Sequence, residues 1–320
     1  MSGPPRIRLE RIEEARRLVD PVFLDTPQYE CEPLGDELGA RLVLKVETLN
    51  PIRSFKGRGA ELFVARDGGA APLVCASAGN FGQAMAYACR SRALPLTVFA
   101  AETANPLKLE RMRALGADVR LAGLDFDAAK VAARAFAAAH GLRFVEDGRE
   151  PAIAEGAGTI ALELLAAEPG LDALFVPLGN GALLAGVATV VRERQPTARV
   201  VAVAARGAPA MVDSLRAGRP LTSERADTIA DGIAVRVPVP EALGDLVGLV
   251  DEARLVDDAD TVRAMRLLHR HAGLVVEPAG AVGVAALLGG PGEWAGARVA
   301  TVLCGGNLTP EQMRDWLSVA

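Results

Sequence analysis

Lys56 stands in the stretch Asn-Pro-Ile-Arg-Ser-Phe-Lys-Gly-Arg-Gly-Ala, residues 50–60, in a place where a surface lysine is unexpected. It follows the apolar segment 42–46 and a turn marked by Asn50-Pro51, and Ser54 is a good helix N-cap, so Lys56 falls in the first helical turn. Helix starts favour anions over ammonium groups. An amine held there beside Phe55 is partly desolvated, the state in which lysine attacks carbonyl carbons.

Three glycine-rich corners could serve the same chemistry. Ser77-Ala78-Gly79-Asn80-Phe81-Gly82-Gln83 joins an apolar run to a helix, and its N–H groups with Ser77 and Asn80 suit an anion such as a carboxylate. Gly179-Asn180-Gly181-Ala182-Leu183 lets backbone approach phosphate oxygens at a helix start. It has neither the Lys-Ser/Thr pair of a P-loop nor the third glycine and spaced acid of a dinucleotide fingerprint. Cys304-Gly305-Gly306-Asn307 follows another apolar run. An amine, a carboxylate site, a phosphate site and a further polar group at a strand end are what an enzyme needs to hold pyridoxal phosphate and an amino acid.

The elements that must position these corners follow from periodicity. An amphipathic helix over 6–20 precedes an extended segment from Thr26-Pro27, a short helix over 33–38 and an alternating strand over 41–47. The Lys56 helix runs to about Arg66, where Asp67-Gly68-Gly69 stops it. From Pro72 the pattern is apolar run, turn, helix: strands over 73–76, 96–100, 118–121 and 142–145, with helices over 80–91, 106–115 and 127–140. Helices over 153–166 and 182–194 and strands over 173–176 and 199–203 continue it. A Pro- and Gly-containing region, 207–250, leads to helices over 259–271 and 279–288, a strand over 298–303 and a last helix over 310–317. Short apolar runs without polar alternation fit parallel strands covered on both faces. The expected architecture is α/β with two domains, the smaller (72–148) inserted into the larger (1–71 and 149–320), and a site in the cleft between them.

Composition excludes other classes. Of 320 residues, 50% are hydrophobic and 23% charged, the balance of a folded globular chain. The net charge of −5 comes without a dense basic cluster, which argues against nucleic acid. Four cysteines and three histidines show no metal-ligand spacing. No apolar run of membrane length and no N-terminal signal pattern is present, so cytoplasmic residence with reduced thiols is expected.

With these residues assembled, the chain resembles the fold-type II pyridoxal phosphate enzymes, within them the threonine/serine dehydratase and serine racemase group. The resemblance spans nearly the whole chain and rests on Ser54 to Ala60, Ser77 to Gln83, Thr228-Ile229-Ala230-Asp231-Gly232-Ile233-Ala234 and Glu277-Pro278-Ala279-Gly280-Ala281. It implies a tryptophan synthase β-like fold of two three-layer α/β domains and assembly as homodimers or homotetramers. By the same resemblance Lys56, beside Phe55, carries the cofactor and removes the α-proton. Asn80 hydrogen-bonds the cofactor's 3-hydroxyl, Gly179, Asn180, Gly181, Ala182 and Leu183 cradle its phosphate, and Cys304 faces the pyridine nitrogen. Ser77, Ala78, Gly79, Asn80 and Phe81 hold the substrate carboxylate, and Glu277 tunes the cofactor or caps the helix that follows. A thiol is a weak, nearly neutral partner, so the ring is a poorer electron sink, which suits prompt loss of a β-leaving group. The implied reaction is dehydration and deamination of a β-hydroxy amino acid such as L-threonine or L-serine to a 2-oxo acid and ammonia.

Departures from the family pattern bear on the alternatives. Ala78 replaces the serine of the racemases and cannot carry a proton. Phe81 replaces a usual histidine, and Asn180 interrupts an all-glycine run, although asparagine tolerates left-handed angles. The carboxylates that hold a divalent cation in many relatives are matched by Ala204, Ala208 and Ala210, so no metal is expected. No counterpart of the regulatory domain of biosynthetic threonine deaminases follows, so isoleucine feedback is not expected. A racemase, a β-replacement synthase and a non-catalytic binder stand as alternatives; the last fits poorly with Lys56 beside a complete carboxylate loop.

Overall fold

The computed structural model describes residues 5–67, 71–290 and 292–318. Among the described residues the strands are β1 (Gln28–Glu30), β2 (Arg41–Val46), β3 (Leu73–Ala76), β4 (Leu96–Ala100), β5 (Asp118–Leu121), β6 (Arg143–Val145), β7 (Ala173–Pro177), β8 (Arg199–Ala205), β9 (Glu252–Val256) and β10 (Arg298–Leu303). They form a six-stranded sheet in the order β1-β2-β10-β7-β8-β9 and a four-stranded sheet in the order β5-β4-β3-β6. Among the described strands only β1 is antiparallel to its neighbour, as expected when helices connect successive strands.

The apolar runs become strands buried on both faces: every residue of β3 and β7 is buried. Helices Pro151–Ala167, Ala182–Arg194 and Pro278–Leu288 are buried along most of their lengths and cover the larger sheet. The Ala-rich helix Phe126–His140 buries Ala129, Ala133 and Ala137, four residues apart on one face, against the smaller sheet.

Several expectations change. The first helix is Leu9–Ala15; the chain continues in turns to Asp20, whose side chain caps a single 3₁₀ turn, Pro21–Phe23. Pro21 keeps Asp20 out of the helical region, so the helix does not run through to residue 20. The alternation in β2 is not one of solvent and core, because Lys45 and Glu47 are both buried and paired with opposite charges. The region 207–250 contains helices Ala210–Ala217 and Pro240–Leu246 and a 3₁₀ turn, Asp231–Ile233; β9, after it, was not expected. As an edge strand with two charged side chains, β9 lacks the apolar run that marks the others. The Gly68-Gly69 stop of the Lys56 helix lies outside the described residues.

Candidate active site

Parallel pairing brings the carboxyl ends of β2, β10 and β7 to one edge of the larger sheet, and those of β3 and β6 to one edge of the smaller. Both edges open on one cavity of about 830 Å³. The residues to which the resemblance gives a cofactor or substrate role line it: Phe55, Lys56, the run from Ser77 to Phe81, the run from Gly179 to Leu183, Glu277 and Cys304.

Lys56 begins the helix Lys56–Asp67, and its approach is fixed by backbone bonds to the end of β10. Phe55 N donates to Cys304 O at 3.0 Å, and Ser54 forms a bridge with Gly305. The Asn50 side chain holds the preceding turn, accepting from Ile52 N and Ser54 N at 3.2 Å and donating to the carbonyls of Glu47 and Ser54. Below the site, Arg58 is 0% exposed. Its guanidinium donates to Glu47 at 2.9 Å, to Glu163 at 2.6 and 2.8 Å, and to Thr26 and Thr159. Lys45 adds a second cation, 2.7 Å from Glu163. Burial disfavours the charged forms, yet the paired charges hold Arg58 above its ordinary pKa and Glu163 below. The network ties β2, the Lys56 helix and Pro151–Ala167 together, so Lys56 starts from a rigid base.

The Lys56 side chain is 15% exposed and its amine donates to Asp147 Oδ2 at 2.5 Å. The rings of Phe55 and Phe81 lie 4.8 and 6.0 Å from the nitrogen. The partly desolvated amine expected beside Phe55 is therefore present, with a carboxylate partner the sequence reading did not name.

The three corners differ in how much hydrogen-bonding capacity they leave free. Ser77 Oγ accepts from Gly79 N at 3.1 Å and Gly82 N at 2.9 Å, so this side chain shapes its own loop. Asn80 Nδ2 donates to Glu277 Oε1 at 2.6 Å, and Asn80 Oδ1 accepts from Asn307 Nδ2 at 2.9 Å. Glu277 also accepts from Asn307 N and makes no side-chain cap to the helix it precedes, which removes the capping alternative. Burial pushes the Glu277 carboxyl up, against the opposing charge of Lys108 and with the added repulsion of Asp231. The second corner opens the helix Ala182–Arg194 from Gly181, at φ +95° and with no side-chain cap. The first N–H groups of that helix are left for an anion. Burial, reinforced by Glu277, pushes the Cys304 thiol well above its ordinary range, so it stays neutral.

Four residues beyond the sequence-based set also matter. Asp147 and Asn307 contact Lys56 and Asn80 as described. Lys108, from the helix Pro106–Ala114, pairs with Asp231 at 2.5 Å, joining the smaller-sheet region to the 3₁₀ turn. Asp231 and Asn307 stand inside motifs visible in the sequence, and Asp147 follows a predicted strand, where site residues of α/β folds gather. Lys108 carries no such mark. Ala204, Ala208 and Ala210 are all buried. Among the described residues no group of three or more His, Cys, Asp or Glu side chains is placed to hold a metal, and no helix is long and apolar enough to cross a membrane.

Residues 19–305 match the family described as "Pyridoxal-phosphate dependent enzyme". The chain is 36% identical over 305 residues to the L-threonine ammonia-lyase of Thermotoga maritima, covering 94% of this chain and 76% of that protein. Among solved structures, the processed form of threonine deaminase isoform 2 from Solanum lycopersicum superposes with a TM-score of 0.86 at 27% identity, over 98% of this chain and 89% of that one. Maize serine racemase gives a TM-score of 0.90 at 25% identity, over 97% and 96%.

Proposed function

The chain belongs to the family of pyridoxal-phosphate dependent enzymes, and on that premise we propose that it is a lyase that converts a β-hydroxy amino acid, L-threonine or L-serine, to a 2-oxo acid and ammonia. The observation that carries this reading is the convergence of Lys56, the carboxylate loop, the uncapped glycine corner and Cys304 on one cavity.

The residues present fit the cofactor. The uncapped helix start at Gly181 suits its phosphate, and the amine of Lys56 is within the same cavity. The neutral Cys304 thiol suits an unprotonated pyridine nitrogen. When bound, pyridoxal phosphate supplies an electrophilic carbon for amines and a ring that acidifies the substrate α-C–H. Backbone N–H groups of the Ser77 to Phe81 loop hold the substrate carboxylate and so orient the α-carbon. Lys56 Nζ takes the α-proton, and the β-hydroxyl departs. Phe55 and Phe81 line the space around the amine and exclude water from it. Ala78 offers no proton on that loop, which supports elimination over racemisation.

Residues 72–148 are proposed to close over the substrate as a unit, with 1–71 and 149–320 holding the cofactor. The Lys108–Asp231 and Arg236–Asp127 pairs and the Arg111–Asn307 contact, which join the two parts, support that division. Cytoplasmic residence and assembly into two or four copies belong to the same proposal.

The test is parallel assay of 2-oxo acid and ammonia from L-threonine, L-serine and a β-aryl serine by cofactor-loaded protein. Equal release of both products supports the lyase and ranks the substrates. Binding without release would overturn it and leave the racemase and synthase alternatives.

A further inference from the structure

Asp147 stands two residues past the end of β6, on the chain returning from the smaller sheet to the helix Pro151–Ala167. Its Oδ2 accepts from Lys56 Nζ at 2.5 Å, and among the described residues no other carboxylate pairs with that amine. The side chain is only 12% exposed, and Oδ1 is buried without a hydrogen-bond partner. The neighbouring backbone is fixed: Gly148 has φ +85°, and a Cβ there would come 2.7 Å from Asn180 O. The carboxylate is thus carried on a turn seated against the proposed phosphate corner.

This ion pair and attachment of the cofactor make exclusive demands on one nitrogen. A lysine bonded to the cofactor has no free ammonium to give Asp147, and an amine hydrogen-bonded to Asp147 must give up that contact to attack the cofactor. With the cofactor bound, the substrate amino group would release Lys56, and the freed amine would then take the α-proton. The C–H bond breaks and an N–H bond forms; the electron pair becomes the Cα–Cβ double bond as the C–O bond breaks. The proton on Lys56 passes on to the departing hydroxide, which leaves as water. Between those events Lys56 would be an ammonium on a side chain only 15% exposed, where an unpaired cation is costly.

We propose that Asp147 is a positioning residue that receives and orients the Lys56 ammonium during turnover and, in the cofactor-free protein, holds the amine back from the cofactor. The proposal rests on the assignment of Lys56 as the attachment and proton-removing residue. It places two opposite effects on one side chain: loss of the carboxylate hastens cofactor attachment and slows catalysis. A structural role for Asp147 would slow both.

The experiment uses cofactor-free full-length wild-type protein, Asp147→Asn, Asp147→Glu and Lys56→Ala. The rise of visible absorbance on adding pyridoxal phosphate gives the attachment rate, and kcat and KM for L-threonine are then measured on loaded protein. A hydrogen bond to a charged group contributes about 1.5–3 kcal/mol, so Asp147→Asn should lower kcat roughly tenfold or more, with KM changed less than about threefold. Attachment in the same variant should be faster than in wild type. Asp147→Glu keeps the charge, so it should attach the cofactor as slowly as wild type and recover part of kcat; it also decides the matter should the Asn variant not fold. Slower attachment in Asp147→Asn, or an unchanged kcat, overturns the proposal. If wild type and Lys56→Ala show the same absorbance, the Lys56 assignment itself fails, and this inference with it.

Discussion

Phe55 N donates to Cys304 O at 3.0 Å, joining the residue before the site lysine to the residue that follows β10. The thiol and the amine therefore share one backbone frame, and the Cys304 side chain can change without moving Lys56. Cys304→Ser should keep the cofactor within about fivefold of wild-type affinity, since one neutral hydrogen bond contributes about 1 kcal/mol. Cys304→Asp should bind far less and unfold at lower temperature, because it buries a second carboxylate beside Glu277. Equal affinities for the Ser and Asp variants in equilibrium titrations would refute this picture of a neutral partner.

Arg58 gives a prediction about stability. Its guanidinium is fully buried between Glu47 and Glu163, and Arg58→Met leaves two buried carboxylates with only Lys45 to oppose them. Breaking a buried network from one side costs about 3–5 kcal/mol. Urea unfolding of the cofactor-free variant should show a loss of that order, and cofactor loading should fall with it because Lys56 starts the same helix. A loss below about 1 kcal/mol would mean that packing, not the ion network, holds this helix.

Much of this arrangement was legible because the site residues sit at punctuated strand ends. Leu73–Ala76, Leu96–Ala100 and Arg298–Leu303 are short apolar runs bounded by Gly, Pro or polar residues, and their edges could be read directly. Asp147 could not be read the same way, since its meaning depends on meeting Lys56, 91 residues away, across two sheets. Lys45 and Glu47 gave a polar alternation, and only the closed fold shows their charges matched inside. Asp231 and Asn307 stood in recognised motifs without roles because their partners, Lys108 and Asn80, come from the smaller-sheet region. Pro240 hid a short helix: in a Pro- and Gly-containing region it reads as a break, yet it occupies the first helical turn, where its missing N–H costs nothing.

Gly181 tests the anion corner. It has φ +95°, and a Cβ there meets nothing closer than 3.4 Å, so Gly181→Ala is opposed by backbone angle more than by crowding. Holding a non-glycine residue in such a region costs about 1–3 kcal/mol, and any relaxation turns the uncapped N–H groups away from the phosphate. Cofactor affinity should fall by roughly tenfold or more, with inorganic phosphate competing less well than in wild type. Unchanged affinity in a cofactor titration would place the phosphate elsewhere.

Asp245, on the helix Pro240–Leu246, yields a pH prediction independent of the reaction. Burial pushes its carboxyl from 3.8 up to about 6, partly opposed by Arg6 at 3.3 Å and assisted by Glu241. Between those two values the folded chain holds a proton that the unfolded chain has released, so this group lowers stability as pH rises through that window. Below 3.8 both states are protonated and the contribution vanishes; above about 6 the penalty is complete. Asp245→Asn keeps the shape without titrating. Its melting temperature relative to wild type should therefore climb as pH rises through the window and then level off. Melting curves of both proteins at half-unit pH steps check this. A difference that stays constant with pH would show that Arg6 fully offsets burial, and that Asp245 titrates alike in the folded and unfolded chain.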